Sequence, residues 1–338
     1  MNRTLVTAEQ RDRLTDALYG AGWAGVRRLP EPVAGRLGRS LADAAWQRRG
    51  KGVRRLEANL ARVVPHADEA ELHRLSRFAM RSYLRYWMES FRLPSWTPER
   101  IAANFAPEGV DHLRKAMAEG RGAVVALPHL ANWDLAGAWL STVLGIPFTT
   151  VAERLKPEAL YDRFVAYREG LGMEVLPHTG GAAFGKLARR LRSGGAVCLV
   201  ADRDLSSSGV PVDFFGERAS MPAGPAMLAL QTGAALLPVT LWYEAPPRMG
   251  GRVHAPVEVP QSGTRKEKAA AMTQAVADAF ASGIAAHPHD WHMLQRLWLD
   301  DLDAPDGAAT APSAAPGSSP APSGDATSRE DAGRTENA

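Results

Sequence analysis

The sequence predicts an α/β protein with a central mixed β-sheet flanked by helices and a helical N-terminal region packed on it. Three observations carry this. From about Gly120 onward, short apolar runs of strand length alternate with stretches of helical periodicity, the pattern of a layered α/β domain. Upstream, residues 8 to 94 repeat their apolar positions at helical spacing, and nothing there alternates like a strand. The 338 residues, 45% of them hydrophobic, supply enough apolar material for a large core.

Taken in order, RLTDALYGAGWAGVRRL, GRLGRSLADAAWQRR and AELHRLSRFAMRSYLRYWMESFRL read as helices separated by short breaks. Gly20, Gly22 and Gly25 spell G-x-G-x-x-G, but no strand precedes them, so small residues for close packing or membrane contact fit better than a dinucleotide loop. Beyond Gly120 the segments AVVALP, PFTTVAE, MEVLP, AVCLVAD, ALLPVTLWY and VHAPVEVP read as strands. DLAGAWLSTVL, PEALYDRFVAYREGLG, GAAFGKLARRLRSG and PAGPAMLALQTG read as helices between them. A last helix, KEKAAAMTQAVADAFASGIAAHP, precedes the aromatic segment DWHMLQRLWL. From about Asp303 the chain is rich in Ala, Pro, Ser and Gly without aromatic or branched aliphatic residues, so 304–338 is expected to be a disordered tail, dispensable for chemistry. The expected organisation is a single domain over 1–303, helical, basic and membrane-facing over 1–100 and an α/β catalytic core over 101–303.

The formal charge of +3 conceals an asymmetry. Residues 1–100 carry 19 Lys or Arg against 11 Asp or Glu, whereas residues 304–338 carry 2 against 5. A basic N-terminal third suits an anionic surface, phospholipid or nucleic acid, and equally an Arg-rich solvated helical face. Basic residues without regularly interleaved aromatics weigh against nucleic acid. No run of 18 uncharged apolar residues occurs and no apolar stretch follows the first charges, so the chain reads as neither secreted nor membrane-spanning. Its single cysteine, Cys198, lies in an apolar strand and reads as a small buried hydrophobe. His287, His289 and His292 lie close together, but Pro288 breaks the register and no matching ligand set stands elsewhere; they read as structural or surface residues, with no metal expected. The hydrolase elbow G-x-S-x-G is absent.

The candidate chemistry lies in GRGAVVALPHLANWDLAG, which reads as a strand, a turn begun at Pro128, and a helix starting near Asn132 or Asp134. His129 then sits at a strand's C-terminal edge, where active sites of open α/β sheets gather. A turn of this length can return the Asp134 carboxylate to the second imidazole nitrogen, making His129 a general base and Asp134 its orienter. The spacing alone is weak, since composition predicts roughly 0.5 such His-x4-Asp pairs, and Asp134 reads equally as a helix N-cap.

The surrounding blocks give the pair its weight. RRGKGVRRLEANLARVVP with Asn59 and Leu60, MRSYLRYWMESFRLP, the His129-x4-Asp134 pair, and RDLSSSGVPVDFFGERASMPAGPAMLAL occur in the order found in the lysophospholipid acyltransferase superfamily. The span from about residue 30 to 300 resembles its lipid A biosynthesis acyltransferase branch, and ADRDL, VAERLKPE and DWHMLQRLW resemble the actinobacterial phosphatidylinositol mannoside acyltransferases. The resemblance implies transfer of a fatty acyl group, palmitoyl by expectation, from acyl-CoA to a mannose hydroxyl of a phosphatidylinositol mannoside at the cytoplasmic face of the plasma membrane. Acyl-CoA is then a co-substrate, no cofactor is needed, and the protein is peripheral on an anionic surface. It also implies that Asp202 stands near His129, as a second partner of its ring or of the sugar hydroxyls, against the alternative of a solvated loop acid. Glu153, Arg154 and Arg168, with Arg203 and Asp204, are candidates for the acceptor headgroup or the CoA phosphates, or else ordinary surface ion pairs. Phe214 and Phe215 are candidates to line an acyl channel, with Gly216 permitting the bend, and a plain core cluster is the alternative.

Overall fold

The computed structural model describes residues 20, 22–153, 158–177, 182–204 and 209–303. Arg154, most of the first amphipathic stretch and the tail expected to be disordered lie outside the described residues. Among the described residues before the sheet, the regular elements up to residue 92 are all helices: α1 (22–28), α2 (Glu31–Gln47), α3 (Lys51–Val63) and α4 (Glu69–Arg92). Each begins where the chain offers a reason. Pro32 opens the first turn of α2, and the Asp68 carboxylate caps α4 by accepting from the Glu71 amide at 2.7 Å. α2 lies close against α4, because Gly38 leaves room for Met88, whose Cγ is 2.8 Å from where a Cβ would stand. Ala42, Val53, Leu56, Leu60, Ala79 and Met80 form a small core of their own between α2, α3 and α4.

The sheet is built from β1 (Phe105–Glu108), β2 (Ala123–Leu127), β3 (Phe148–Ala152), β4 (Met173–Pro177), β5 (Ala196–Val200), β8 (Ala235–Tyr243) and β9 (Met249–Val253), in the order β1-β9-β8-β2-β5-β3-β4. Pairing is parallel except between β8 and β9, so the sheet is mixed, as expected. All five residues of the central strand β2 are buried, which is why AVVAL reads as a continuous apolar run rather than an alternation. Helices α5 (Pro98–Asn104), α6 (Val110–Ala118), α7 (Trp133–Thr142), α8 (Glu158–Glu169), α9 (Ala182–Arg192), α10 (Gly224–Thr232) and α11 (Arg265–Ala286) flank it, and α12 (Leu299–Asp303) ends the described chain.

Two segments depart from the sequence reading. The strand expected over 253–260 is instead β9, Met249–Val253, and 254–260 has no regular structure. Pro256 and Pro260 lack the amide a ladder needs, while MGGRV gives no apolar pattern to find. Its glycines make room for neighbouring side chains: a Cβ on Gly250 would stand 2.3 Å from the Trp242 indole, and one on Gly251 2.9 Å from the Phe105 ring. The second departure is an antiparallel hairpin, β6 (Val210–Phe214) and β7 (Glu217–Met221), apart from the main sheet. The sequence reading saw only its turn. Phe215 and Gly216 both have positive φ, 49° and 81°, the geometry of a two-residue hairpin turn whose twist matches the strands.

The N-terminal helices are tied to the C-terminal segment by polar staples. Asn59 donates to the carbonyls of Met293 and Gln295, at 2.8 and 2.9 Å, and accepts from the Trp298 indole at 3.0 Å. Arg62 reaches Glu217 at 2.8 Å and Asp301 at 3.1 Å. Among the described residues no helix is long and apolar enough to cross a membrane.

Candidate active site

β2 and β5 are neighbouring parallel strands with Leu127 paired to Val200, so the residues that follow them leave the same edge of the sheet side by side. One exit carries His129 and the other carries Asp202. The imidazole Nδ1 lies 2.6 Å from Asp202 Oδ1, and the His129 amide donates to Oδ2 at 2.9 Å. The Trp291 indole donates to the same Oδ2, also at 2.9 Å. Asp202 is fully buried, whereas the His129 side chain keeps 31% of its surface exposed. Burial pushes the Asp202 carboxyl up, but the His129 ring, the indole and the His129 amide together outweigh it and hold the group below the ordinary carboxylate value. An ionised carboxylate on Nδ1 fixes that nitrogen as the donor, which leaves Nε2 with its lone pair as the basic atom.

The sequence reading expected Asp134 in this position, and the structure corrects it. Asp134 is the second residue of α7, with Asn132 as N-cap accepting from Leu135 N at 3.0 Å. Its carboxylate points away from His129: Oδ1 accepts from Arg168 Nε at 3.0 Å and Oδ2 from the Tyr86 hydroxyl at 2.9 Å, and the group is buried. The link to His129 is indirect. Tyr86 stacks on Trp133 at 4.0 Å, and Trp133 meets the His129 ring edge-on at 5.3 Å. Asp134 therefore joins α4, α7 and α8 and seats the aromatic wall beside the imidazole.

The loop that carries His129 is held from a third side by the aromatic segment at 288–293. Asp290 O accepts from the Ala131 amide at 2.9 Å, His292 N donates to His129 O at 2.8 Å, and Leu130 bridges to Trp291. Ala131 adopts a left-handed φ of 48°, a conformation an L-residue keeps only where its surroundings impose it. His292 itself is buried, with its Nε2 2.9 Å from the Ser82 hydroxyl, and desolvation with repulsion from His129 and His289 brings it down to about 3. It is a neutral structural residue. Trp291, Trp133 and Tyr86 went unassigned in the sequence reading; an aromatic cluster after the last helix was the only signal available for Trp291.

The remaining expected site residues divide. Arg168 lies on α8 and is committed to Asp134. Glu153 and Arg203 pair weakly at 3.3 Å across the mouth between β3 and β5, with Glu153 half exposed. Asp204 Oδ2 accepts from Gly209 N at 2.8 Å and so shapes its own loop. Phe214 and Phe215 do not line the apolar cavity described next. Phe214 is buried against Trp298 and Trp291, and Phe215 packs on Phe214 and Trp291, so both support the Asp202 side of the site from beneath. An apolar cavity of about 100 Å³ instead runs over one face of the sheet under α7, its walls including Val125, Leu127, Cys198, Val200, Trp139 and Met173, and it reaches Trp133, Asp134 and Arg168. Cys198 is sealed in its wall, and burial pushes the thiol well up.

A mixed sheet with a strand-end His on a buried carboxylate, followed by a helix over an apolar cavity, places the site at the edge of an α/β sheet. Residues 8–300 match the model of the bacterial lipid A biosynthesis acyltransferases, and the chain belongs to that family. It is an acyltransferase enzyme. The chain is 52% identical over 295 residues to the phosphatidylinositol mannoside acyltransferase of Mycolicibacterium smegmatis, covering 86% of this chain and 93% of that one. It is 50% identical over 294 residues to the proteins of the same name from two Mycobacterium tuberculosis strains, covering 85% of this chain and 90% of each relative.

Proposed function

We propose that this protein transfers a fatty acyl group, palmitoyl by preference, from acyl-CoA to a mannose hydroxyl of a phosphatidylinositol mannoside, at the cytoplasmic face of the plasma membrane. The single observation that carries the reading is the buried Asp202 carboxylate 2.6 Å from Nδ1 of a part-exposed His129, beside an apolar cavity. The names of the relatives carry the acceptor.

His129 Nε2 removes the hydroxyl proton as the sugar oxygen attacks the thioester carbonyl carbon, and Asp202 stabilises the imidazolium that forms. The tetrahedral intermediate then expels the coenzyme A thiolate, which takes the proton back from the imidazolium. The products are the sugar ester and the free thiol. No covalent acyl-enzyme forms. The amides of His129, Leu130 and Ala131 are already committed, to Asp202, to Pro128 O and to Asp290 O, so the positive end of α7 is the nearest source of stabilisation for the oxyanion. The acyl chain enters the cavity under α7, where Met173, flexible and unbranched, adapts the wall to it. Glu153 and Arg203, at the mouth, contact the polar headgroup or the CoA phosphates.

Incubation of the purified protein with labelled palmitoyl-CoA and a panel of mannosylated phosphatidylinositols, lysophospholipids and other glycolipids, with product masses determined, tests the assignment. A palmitoylated mannoside is expected; acylation of a lysophospholipid alone would redirect the acceptor and leave the chemistry standing.

A further inference from the structure

A second groove, of about 780 Å³, opens between α2, α4 and the turn joining β8 to β9, away from His129 and Asp202. Its walls carry both signs of charge, but the acids are already committed. Glu31 pairs with Arg100, Glu89 with Arg85 and Asn132, and Glu244 with Arg248. Buried Asp290 accepts from the Ser82 hydroxyl and the Tyr243 amide, both at 2.7 Å. Arg81 is held by Asp43.

What these pairs leave over is a set of donors. Among the described residues, the exposed guanidinium groups of Arg36 and Arg39 on α2 have no partner, and neither do the buried Arg92 Nε and the indole Nε1 of Trp96. Arg36 and Arg39, three residues apart, share one exposed face of α2, and their paired positive charge favours an anion rich in acceptor oxygens. Phosphate is such an anion, with charge complementarity above all toward guanidinium.

The rim adds the second half of the ligand's character. Val33, Leu37 and Leu41 recur every four residues along the same helix and are 42, 39 and 47% exposed, and Phe78 at the groove edge is 54% exposed. An apolar groove of about 570 Å³ follows on, bordered by Leu37, Leu41, Trp23 and Phe91 and sharing Met88 with the polar one. A cationic cradle next to an apolar stripe matches an amphiphile with a phosphate head. We propose that the groove between α2 and α4 binds the phosphate of an anionic phospholipid of the bilayer, with the outward apolar side chains of α2 set among the neighbouring acyl chains. This rests on the membrane-surface reading above and adds a lipid site separate from the acceptor's. Its floor also contains Glu89 and Asp290, which bond to Asn132 and to the Ala131 amide of the catalytic loop, so the lipid would sit directly behind the loop it orients toward the membrane.

The test uses the full chain, vesicles of phosphatidylcholine with and without phosphatidylinositol, and dihexanoyl phosphatidylinositol below its micellar concentration. The double variant Arg36→Gln/Arg39→Gln, at exposed positions, is expected to keep the wild-type thermal midpoint and to lose about tenfold in affinity for both the inositol-lipid vesicles and the short-chain lipid. Arg48→Gln/Lys51→Gln, outside the groove, is expected to keep short-chain lipid binding. Full retention of both affinities by the groove variant would overturn the site while leaving membrane association intact. Absence of wild-type vesicle binding would overturn both, and equal binding of coenzyme A or inorganic phosphate at the groove would overturn the lipid assignment.

Discussion

At the scale of single residues, the proposed mechanism gives His129 the work of a base and Asp202 that of aiming it. His129→Ala removes the part-exposed imidazole at the sheet edge and is expected to abolish acyl transfer while leaving the far-ultraviolet circular dichroism of a folded protein. Residual turnover above a small fraction would remove the assignment. Asp202→Asn keeps the shape but replaces an acceptor-only group that takes three hydrogen bonds, so the ring loses its fixed tautomer. Initial rates should fall by about 100-fold or more. His129 was legible in the sequence because a strand-end histidine announces itself in the order of apolar and turn residues. Its partner Asp202 came only from the family resemblance, and the local spacing pointed instead to Asp134. Four intervening residues allow a return to the imidazole, but α7 begins at Trp133, and its first turn carries the Asp134 carboxylate toward α4 and α8. Which acid meets Nδ1 is decided by the pairing of Leu127 with Val200, a tertiary fact that local spacing does not contain.

At the scale of elements, Asp134, Arg168 and Tyr86 form a knot between three helices. Removal of the carboxylate leaves Arg168 buried and unpaired, so Asp134→Ala is expected to cost about 3–5 kcal/mol in chemical denaturation. Pairing it with Arg168→Met should recover most of the loss, because an apolar pair of similar volume avoids the uncompensated charge. A recovered fold with poor turnover would separate the stabilising part of Asp134 from its seating of Trp133 against His129. The hairpin β6–β7 offers a simpler case: Gly216→Val places a branched side chain at a φ of 81° and should cost about 1–2 kcal/mol, read as a lower melting midpoint. Regular elements were legible where a helical period or a short continuous apolar run stood out, as in α4 and β2. β9 escaped because its two glycines make room for Trp242 and for Phe105 and Leu241 rather than following an apolar pattern, and of the neighbouring VHAPVEVP only Val253 belongs to a strand.

At the scale of the whole molecule, buried neutral histidine couples stability to acidity. His292 titrates near 3 in the fold, below its ordinary 6.5, so between those values the unfolded chain binds the extra proton. Its contribution is complete above about pH 6.5 and is lost as the pH falls toward 3; His254 and His287, both lowered by burial, act in the same direction. Denaturation midpoints are expected to drop across this window, and His292→Gln to flatten the slope. The staple of Trp291 to Asp202 has a further consequence, in the order of assembly. The imidazole comes from residue 129, its acid from 202 and the indole that steadies the acid from 291, so the dyad closes only when segments far apart in the chain have met. Contacts of such long reach form late in folding. A growing chain on the ribosome therefore presents residue 129 before residues 202 and 291 have been made, and His129 gains its carboxylate and the indole behind it only as the last part of the domain docks.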